Sequence, residues 1–279
     1  MTKTFSSITV RRIQEALLED LGAGDLTSEL LVPASVRISA KVIAKQDGFF
    51  CGIQVVAALC RFIHPSVQPV FHIKDGQAFT QGKTLVELKG PANSILAIER
   101  TLLNLIAHLS GVTTLTQSLV KKVQEYNVSI LDTRKTTPLW RELEKYAVRM
   151  GGGKNHRFGL YDEIFVKENH KGYGSLIALQ KYARKFVIEV RNYRELIEAL
   201  ALKPRVILFD NFSPTQLKKA AALAKTMEPR VILEASGGIH AGNIQKYART
   251  GIHQISLGCL THSVAALDFS LLVSSSKKT

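Results

Sequence analysis

From Asn127 onward the chain repeats one pattern: a short β-rich run, a polar residue or glycine at its carboxyl end, and in most cases a helix-like segment before the next run. The runs end at Asp132, Lys167, Glu189, Asp210, Ser236 and Gly258, and the last four ends lie 21, 26 and 22 residues apart. Connections of that length with helical character join parallel strands, whereas antiparallel neighbours are joined by tight turns. Parallel β-α units closing into a barrel gather their strand ends on one rim, where the chemistry of such folds sits. Six runs are clear and a seventh is weaker, so the pattern predicts an incomplete, open α/β barrel of six to seven strands.

The first 92 residues have a different texture. Ile13, Ala16, Leu17 and Leu21 recur at helical spacing, with Gly22 as a stop signal. Val36, Ile38, Ala40 and Val42 alternate as in a half-buried strand, Ile53 to Ile63 reads as a helix, and short strands follow around Val70 and Leu85. This predicts an α+β domain with a largely antiparallel sheet. Ile95, Ile98, Leu102, Leu105 and Leu109 form a helical stripe; Gly111 is expected to interrupt it, with a second helix running to about Glu125. Arg100 lies off that stripe and reads, on pattern alone, as a surface arginine. The expected domains are 1–110 and 111–266, with the final run 267–273 available to return to the first and 274–279 a frayed tail.

The formal net charge of +14 admits three kinds of partner: nucleic acid, an anionic membrane surface or small acidic substrates. No Lys/Arg block interleaved with aromatics supports the first. The most apolar run, Ile95–Leu109, contains Glu99, Arg100 and His108, which argues against a membrane span. Cys51, Cys60 and Cys259 have neither metal nor disulfide spacing, and residues 1–12 lack a signal-peptide core, so a cytoplasmic protein is expected.

The candidate site is concentrated between Leu131 and His170. Arg134, Lys135, Lys154, His156, Arg157 and Lys167 stand there around Gly-rich turns, at element ends and not along a solvated helix face. A concave group of this kind suits a small, multiply anionic ligand, because Arg grips carboxylate and phosphate in a bidentate fork. Opposite in charge are Glu189 and Asp210, at corresponding ends of successive strands. They either pair with Lys or Arg, or hold magnesium directly or through water beside a polyphosphate. The glycine-bearing turns Ser236-Gly237-Gly238 and Gly258-Cys259-Leu260-Thr261-His262 follow the last two strands, where barrels often bind phosphate. Glu234 shares the strand parity of Ser236 and is expected to face a basic residue inside the barrel. Together these features suit transfer of a phosphorylated sugar from a pyrophosphate donor to an acidic acceptor.

Seven ordered motifs resemble the quinolinate phosphoribosyltransferases, also called carboxylating nicotinate-nucleotide pyrophosphorylases. They are Glu-Asp-Leu-Gly-Ala-Gly-Asp-Leu-Thr at 19–27, Glu-Arg-Thr-Leu-Leu-Asn at 99–104, Asp-Thr-Arg-Lys-Thr-Thr-Pro at 132–138, Gly-Gly-Gly-Lys-Asn-His-Arg at 151–157, Asp-Asn at 210–211, Glu-Ala-Ser-Gly-Gly-Ile at 234–239 and Leu-Thr-His-Ser at 260–263. The resemblance implies an N-terminal α/β sandwich domain, an open α/β barrel, and a homodimer or a larger assembly such as a hexamer. It implies quinolinate and phosphoribosyl pyrophosphate as substrates, Mg2+ as cofactor, and nicotinate mononucleotide, pyrophosphate and CO2 as products in NAD biosynthesis. By the same resemblance Thr133, Arg134, His156 and Arg157 bind quinolinate, joined by Arg100 from a neighbouring subunit. Lys135 and Lys167 lie between acceptor and donor, Glu189 and Asp210 face the donor ribose and magnesium, and Ser236, Gly237, Gly238, Gly258, Cys259, Leu260 and His262 form the phosphate loops.

Two departures stand out. Leu139 and Trp140 follow Pro138 where the family usually has glycine, and Val187 stands where many relatives have an acid two residues before Glu189. Three other readings remain at this point: a paralogous phosphoribosyltransferase with another acidic acceptor, a barrel lyase forming a Schiff base on Lys135 or Lys167, and a basic nucleic-acid-binding protein.

Overall fold

The structure, a computed structural model, describes residues 4–274. In chain order its elements begin α1 (Ser7–Leu21), α2 (Leu26–Leu31), β1 (Arg37–Ala44), β2 (Gly48–Phe49), α3 (Ile53–Ile63), β3 (Gln68–Phe71), β4 (Ala78–Phe79), β5 (Thr84–Pro91), α4 (Ala92–Val123), β6 (Ser129–Leu131) and α5 (Arg141–Met150). They continue β7 (Ile164–Val166), α6 (Glu168–Lys171), β8 (Phe186–Val190), α7 (Tyr193–Ala201), β9 (Val206–Asp210), α8 (Pro214–Met227), β10 (Ile232–Ser236), α9 (Ile244–Ala248), β11 (Gln254–Ser256), α10 (Cys259–His262) and β12 (Phe269–Ser274). The chain forms two compact units: residues 1–115, 137–151 and 264–279 make the first, and 116–136 with 152–263 the second. The reading from sequence kept 137–151 with the barrel, whereas the spatial grouping puts these residues, which include α5, in the first unit.

The first unit is built on a four-stranded antiparallel sheet in the order β12-β1-β5-β3. The last run does return: Val42 of β1 pairs with Leu271 of β12. Ser274, placed in the frayed tail by sequence, pairs with Ser39, and the rest of that tail lies outside the described residues. Ala40, Val42 and Ala44 alternate into the core as period-two burial requires. Helix α4 buries Ile95, Ile98, Leu102, Leu105 and Leu109.

Gly111 does not interrupt α4, which runs unbroken from Ala92 to Val123. A Cβ at 111 would lie 2.3 Å from the Ala265 carbonyl oxygen, and the Leu267 N–H donates to the Ala107 carbonyl at 3.1 Å. The glycine therefore admits the backbone that leads into β12, at a helix-propensity cost of about 1 kcal/mol. Because the helix continues, the stretch Ala92–Tyr126 is long and apolar enough to cross a bilayer by composition, contrary to the reading of Ile95–Leu109 alone; 61% of its apolar window is buried inside the protein.

Leu139 occupies the left-handed region, φ 69, a conformation that costs a leucine about 1–2 kcal/mol and a glycine almost nothing. Its turn is held by neighbours of the same unit. Arg12 Nη1 donates to the Leu139 carbonyl at 2.8 Å, and the buried Glu144 accepts from the Thr137 N–H at 3.0 Å and from the Thr137 hydroxyl at 2.8 Å. Glu144 also lies 2.8 Å from His108 Nε2, and the His108 ring meets Trp140 edge-on.

The second unit is a six-stranded parallel sheet in the order β6-β11-β10-β9-β8-β7. Its two ends are the first and second strands in sequence, and β6 and β7 do not pair, so the barrel is open there. The seventh strand is reduced to one parallel bridge, Leu131 with Lys154. The chain between β6 and β7 spends Thr137–Gly151 in the first unit and returns only as the Gly-rich segment, which leaves no room for a full βα repeat. Inside the sheet Phe165, Val187, Val206 and Leu208 pack together against Ile232. Val187, the second departure, is thus a filler of the apolar floor, 1% exposed.

Candidate active site

Register brings the strand ends level. Asp210, the last residue of β9, pairs with Ser236, the last of β10, and Ile188 pairs with Val166 just before Lys167. Loops above these ends enclose a cavity of about 720 Å³. Its lining includes Thr133, Arg134, Lys135, His156, Arg157 and Lys167 with Glu189, Asp210, Ser236, Gly237, Gly238, Gly258, Cys259 and His262. Two sequence candidates are elsewhere in the second unit: Lys154 is exposed and engaged through its backbone to Leu131, and the Leu260 side chain is 0% exposed in the core. Arg100 is an exposed residue of α4 in the first unit and does not line this cavity.

The cationic end depends on a residue that pattern reading treated only as a strand end. Asp132 is fully buried, and its Oδ1 accepts the His156 N–H at 2.9 Å. The Asp132 N–H donates to Lys154 O at 3.2 Å and Lys154 N–H to Ile130 O at 2.8 Å, so the Gly-rich segment is stitched to β6. Thr133 Oγ1 accepts the Lys135 N–H at 3.0 Å and sets the turn that presents Arg134. Gly258 leaves room on the other side: a Cβ there would meet Lys135 Cδ at 3.0 Å and His262 Nε2 at 2.9 Å, so both side chains would have to shift.

Phe165 is the second residue that pattern reading missed. Arg157 lies over its ring at 4.8 Å, Lys167 at 5.1 Å, and the His156 ring centroid is 5.4 Å away. An aromatic face attracts cations and so moderates their crowding. Burial, and then the neighbouring Arg134, hold the Arg157 guanidinium below its ordinary value. Its Nη1 donates to the Glu163 carbonyl at 3.1 Å.

At the acidic end, burial and then the charge of Asp210 raise the pKa of Glu189, opposed by Lys167, Lys171 and Arg191. Among the described residues no group of three or more His, Cys, Asp or Glu forms a metal cage. Two mutually repelling carboxylates fit a hard cation that arrives with phosphate ligands of its own. Asn211 completes the corner in a left-handed conformation, φ 58. Its N–H donates to Ser236 O at 2.9 Å and its Nδ2 to Asp210 Oδ2 at 3.1 Å. A Cβ on Gly237 would fall 2.3 Å from Asn211 Oδ1, so the glycine is needed for the acidic corner and the following loop to meet. The motif Asp-Asn was visible in sequence; the role of its second residue was not.

Residues 25–110 match the N-terminal domain of quinolinate phosphoribosyl transferase, and residues 112–272 match its C-terminal domain. The chain belongs to the quinolinate phosphoribosyltransferase family. Within that family it is 41% identical over 270 residues to the probable nicotinate-nucleotide pyrophosphorylase (carboxylating) of Bacillus subtilis, covering 94% of this chain and 92% of the relative. It is 34% identical over 288 residues to quinolinate phosphoribosyltransferase (decarboxylating) 1 of Nicotiana glauca, covering 94% and 81%. The solved structure of the nicotinate-nucleotide pyrophosphorylase from Francisella tularensis superposes with a TM-score of 0.91 at 37% identity, covering 98% of each chain. The fold of this family, an antiparallel first domain and a parallel second one, is the fold described above.

The tie at Asp132 is open to test. Asp132→Ala leaves a partly buried N–H at His156 without its acceptor, which costs up to about 1–3 kcal/mol. Denaturant unfolding is expected to show that loss, and hydrogen exchange is expected to accelerate at the amides of Lys154 and His156 while α7 and α8 keep wild-type protection.

Proposed function

We propose that this chain transfers the phosphoribosyl group of phosphoribosyl pyrophosphate to quinolinate, with loss of CO2, giving nicotinate mononucleotide and pyrophosphate in NAD biosynthesis. The observation that carries the reading is the bipolar cavity: Arg134, His156, Arg157 and the two lysines at one end, Glu189 and Asp210 beside the glycine loops at the other. An acceptor with two carboxylates matches more positive charge than a single carboxylate needs. Cytoplasmic residence follows from the same reading, since it is supported by three cysteines without disulfide spacing.

Arg134 and Arg157 fix the acceptor carboxylates, with Thr133 and His156 shaping that end. Lys135 and Lys167 stand where charge builds on the departing pyrophosphate. Ser236, Gly237, Gly238 and Gly258 to His262 receive the donor phosphates, Leu260 through its backbone. Glu189 and Asp210 hold magnesium directly or through water and face the ribose as it gains oxocarbenium character; the metal supplies charge neutralisation for the leaving group. The pyridinium formed by attack of the ring nitrogen stabilises the electron pair left on the ring carbon by departing CO2, and that carbon then takes a proton from water. Alignment and fixed charges, with no covalent enzyme intermediate, account for the chemistry.

The deciding assay supplies phosphoribosyl pyrophosphate with either quinolinate or nicotinate and looks for nicotinate mononucleotide. Formation from quinolinate alone is expected; comparable turnover of nicotinate overturns the assignment. For the acidic end, Asp210→Asn is expected to weaken donor binding in the presence of Mg2+ by about 10- to 100-fold and quinolinate binding by much less. Equal losses in calorimetric titrations of the two ligands point instead to a structural ion pair.

Arg100 enters the proposal as a contribution in trans within a homodimer, or within a larger assembly built from such dimers. Its support is the family motif Glu-Arg-Thr-Leu-Leu-Asn and the exposure of this side chain on α4. Arg100→Ala and Arg134→Ala are each expected to be nearly inactive. After subunit exchange, mixed dimers carry both defects in one site and none in the other, so about a quarter of wild-type activity returns. No recovery, once exchange is confirmed by mass, removes Arg100 from the neighbouring site.

A further inference from the structure

Glu234 is a buried acid within a strand of the parallel sheet that the proposed chemistry does not use. It lies in the middle of β10 and is 1% exposed. Its two carboxylate oxygens are treated differently. Oε2 accepts from Gln254 Nε2 at 2.9 Å, and the Ser256 side chain also hydrogen-bonds the carboxylate. Oε1 is buried and has no hydrogen-bond partner. His156 Nε2, on the facing loop, lies 3.6 Å from it. The other neighbours of this carboxylate are the register partner Leu208 on β9, which is apolar, and the more distant charges of Glu163 and Arg205. Burial pushes the carboxyl up to about 7, so a donor aimed at Oε1 relieves a real cost.

The facing ring has a fixed proton. The Arg157 backbone N–H donates to His156 Nδ1 at 2.8 Å. An amide N–H cannot accept, so Nδ1 is unprotonated, and in the neutral ring the proton is on Nε2, the nitrogen that faces Glu234. The loop that carries the ring is anchored at the His156 N–H by Asp132, and Phe165 packs against the ring.

We propose that Glu234 is the positioning residue of His156, its Oε1 holding the ring as the neutral Nε2–H tautomer beside Arg134 and Arg157. The positive charge offered to the acceptor then comes from the arginines and lysines, and His156 contributes a fixed, uncharged wall. A cationic ring would add a further positive charge beside Arg134 and Arg157 and would turn an Nδ1–H against the Arg157 N–H. The consequence for acceptor binding rests on the quinolinate reading; the assignment of the tautomer does not.

Nitrogen-15 NMR of the histidine rings at pH 7, in the ligand-free enzyme, reads the tautomer without turnover. His156 is expected to be protonated at Nε2 only; a cationic or Nδ1-protonated ring overturns the proposal whatever the substrate proves to be. Glu234→Gln keeps the shape. Because Gln254 Nε2 donates to the Oε2 position, the amide oxygen is favoured there, which leaves the amide NH2 facing Nε2, donor against donor. Because the Arg157 N–H still donates to Nδ1, the proton is expected to stay on Nε2 but to lose its facing acceptor, so the Nε2–H signal is expected to shift and to exchange faster with solvent in Glu234→Gln; an unchanged signal overturns the proposal. In kinetics, KM for quinolinate is expected to rise about tenfold, the scale of one polar partner removed at a buried site, with kcat and the KM for the donor changed by less than about twofold. In a His156→Ala background the Glu234→Gln change is expected to add nothing, because it acts through the ring. Additive losses, or equal losses on both substrates, mark a structural role and overturn the proposal. If Glu234→Gln does not fold, the wild-type spectrum decides alone.

Discussion

The buried carboxylate of Asp132 carries the geometry of the cationic end. It lies just past the short strand β6 and receives the main-chain N–H of His156, which comes from the far end of a long excursion of the chain. A flexible Gly-rich segment has high conformational entropy, and without a fixed acceptor it has no reason to return to one place. The bond to Asp132 and the single bridge of Lys154 to Leu131 supply that reason. Because the segment replaces a strand, the barrel stays open between β6 and β7, and the residues freed from sheet pairing become the wall of the cavity.

Crowding of like charge is the second constraint. Five basic or imidazole side chains line one end of the cavity, and Arg157 is held below its ordinary value by burial first and by the charge of Arg134 second. Phe165 offsets part of the cost through its ring face, which Arg157 and Lys167 share. The acidic corner stores the opposite tension, since Glu189 is raised by burial and by Asp210. A ligand that is multiply anionic at one end and comes with a cation at the other relaxes both. Such preorganised charge is the main resource of a site that transfers a group without a covalent intermediate.

Departures from the family pattern are absorbed locally. Leu139 keeps a turn that glycine would adopt freely, held by Arg12 and by the Thr137–Glu144–His108 chain of hydrogen bonds. Val187 fills the apolar floor with Phe165, Val206 and Leu208, a position in which a carboxylate would need its own partner. Gly111 illustrates how a local signal misleads: glycine is a weak helix former, yet its lack of a side chain is what lets the Ala265 backbone cross the helix.

Sequence by itself determined the parallel second domain, the antiparallel first one, and most of the cavity's charged groups, because strand-end position and side-chain type are local properties that repeat along the chain. Arg134, Lys135, His156, Arg157, Lys167, Glu189 and Asp210 were all legible in that way, and the cavity gathers them. Tertiary structure decided what depends on contacts between distant segments: the tie of Asp132 to His156, the shared ring of Phe165, the turn of Asn211 against Gly237, and the facing of Glu234 and His156. It also decided that Lys154 acts through its backbone and that Leu260 belongs to the core. No periodicity encodes such pairs, since each is fixed only when register and loop closure bring two remote residues within bonding distance.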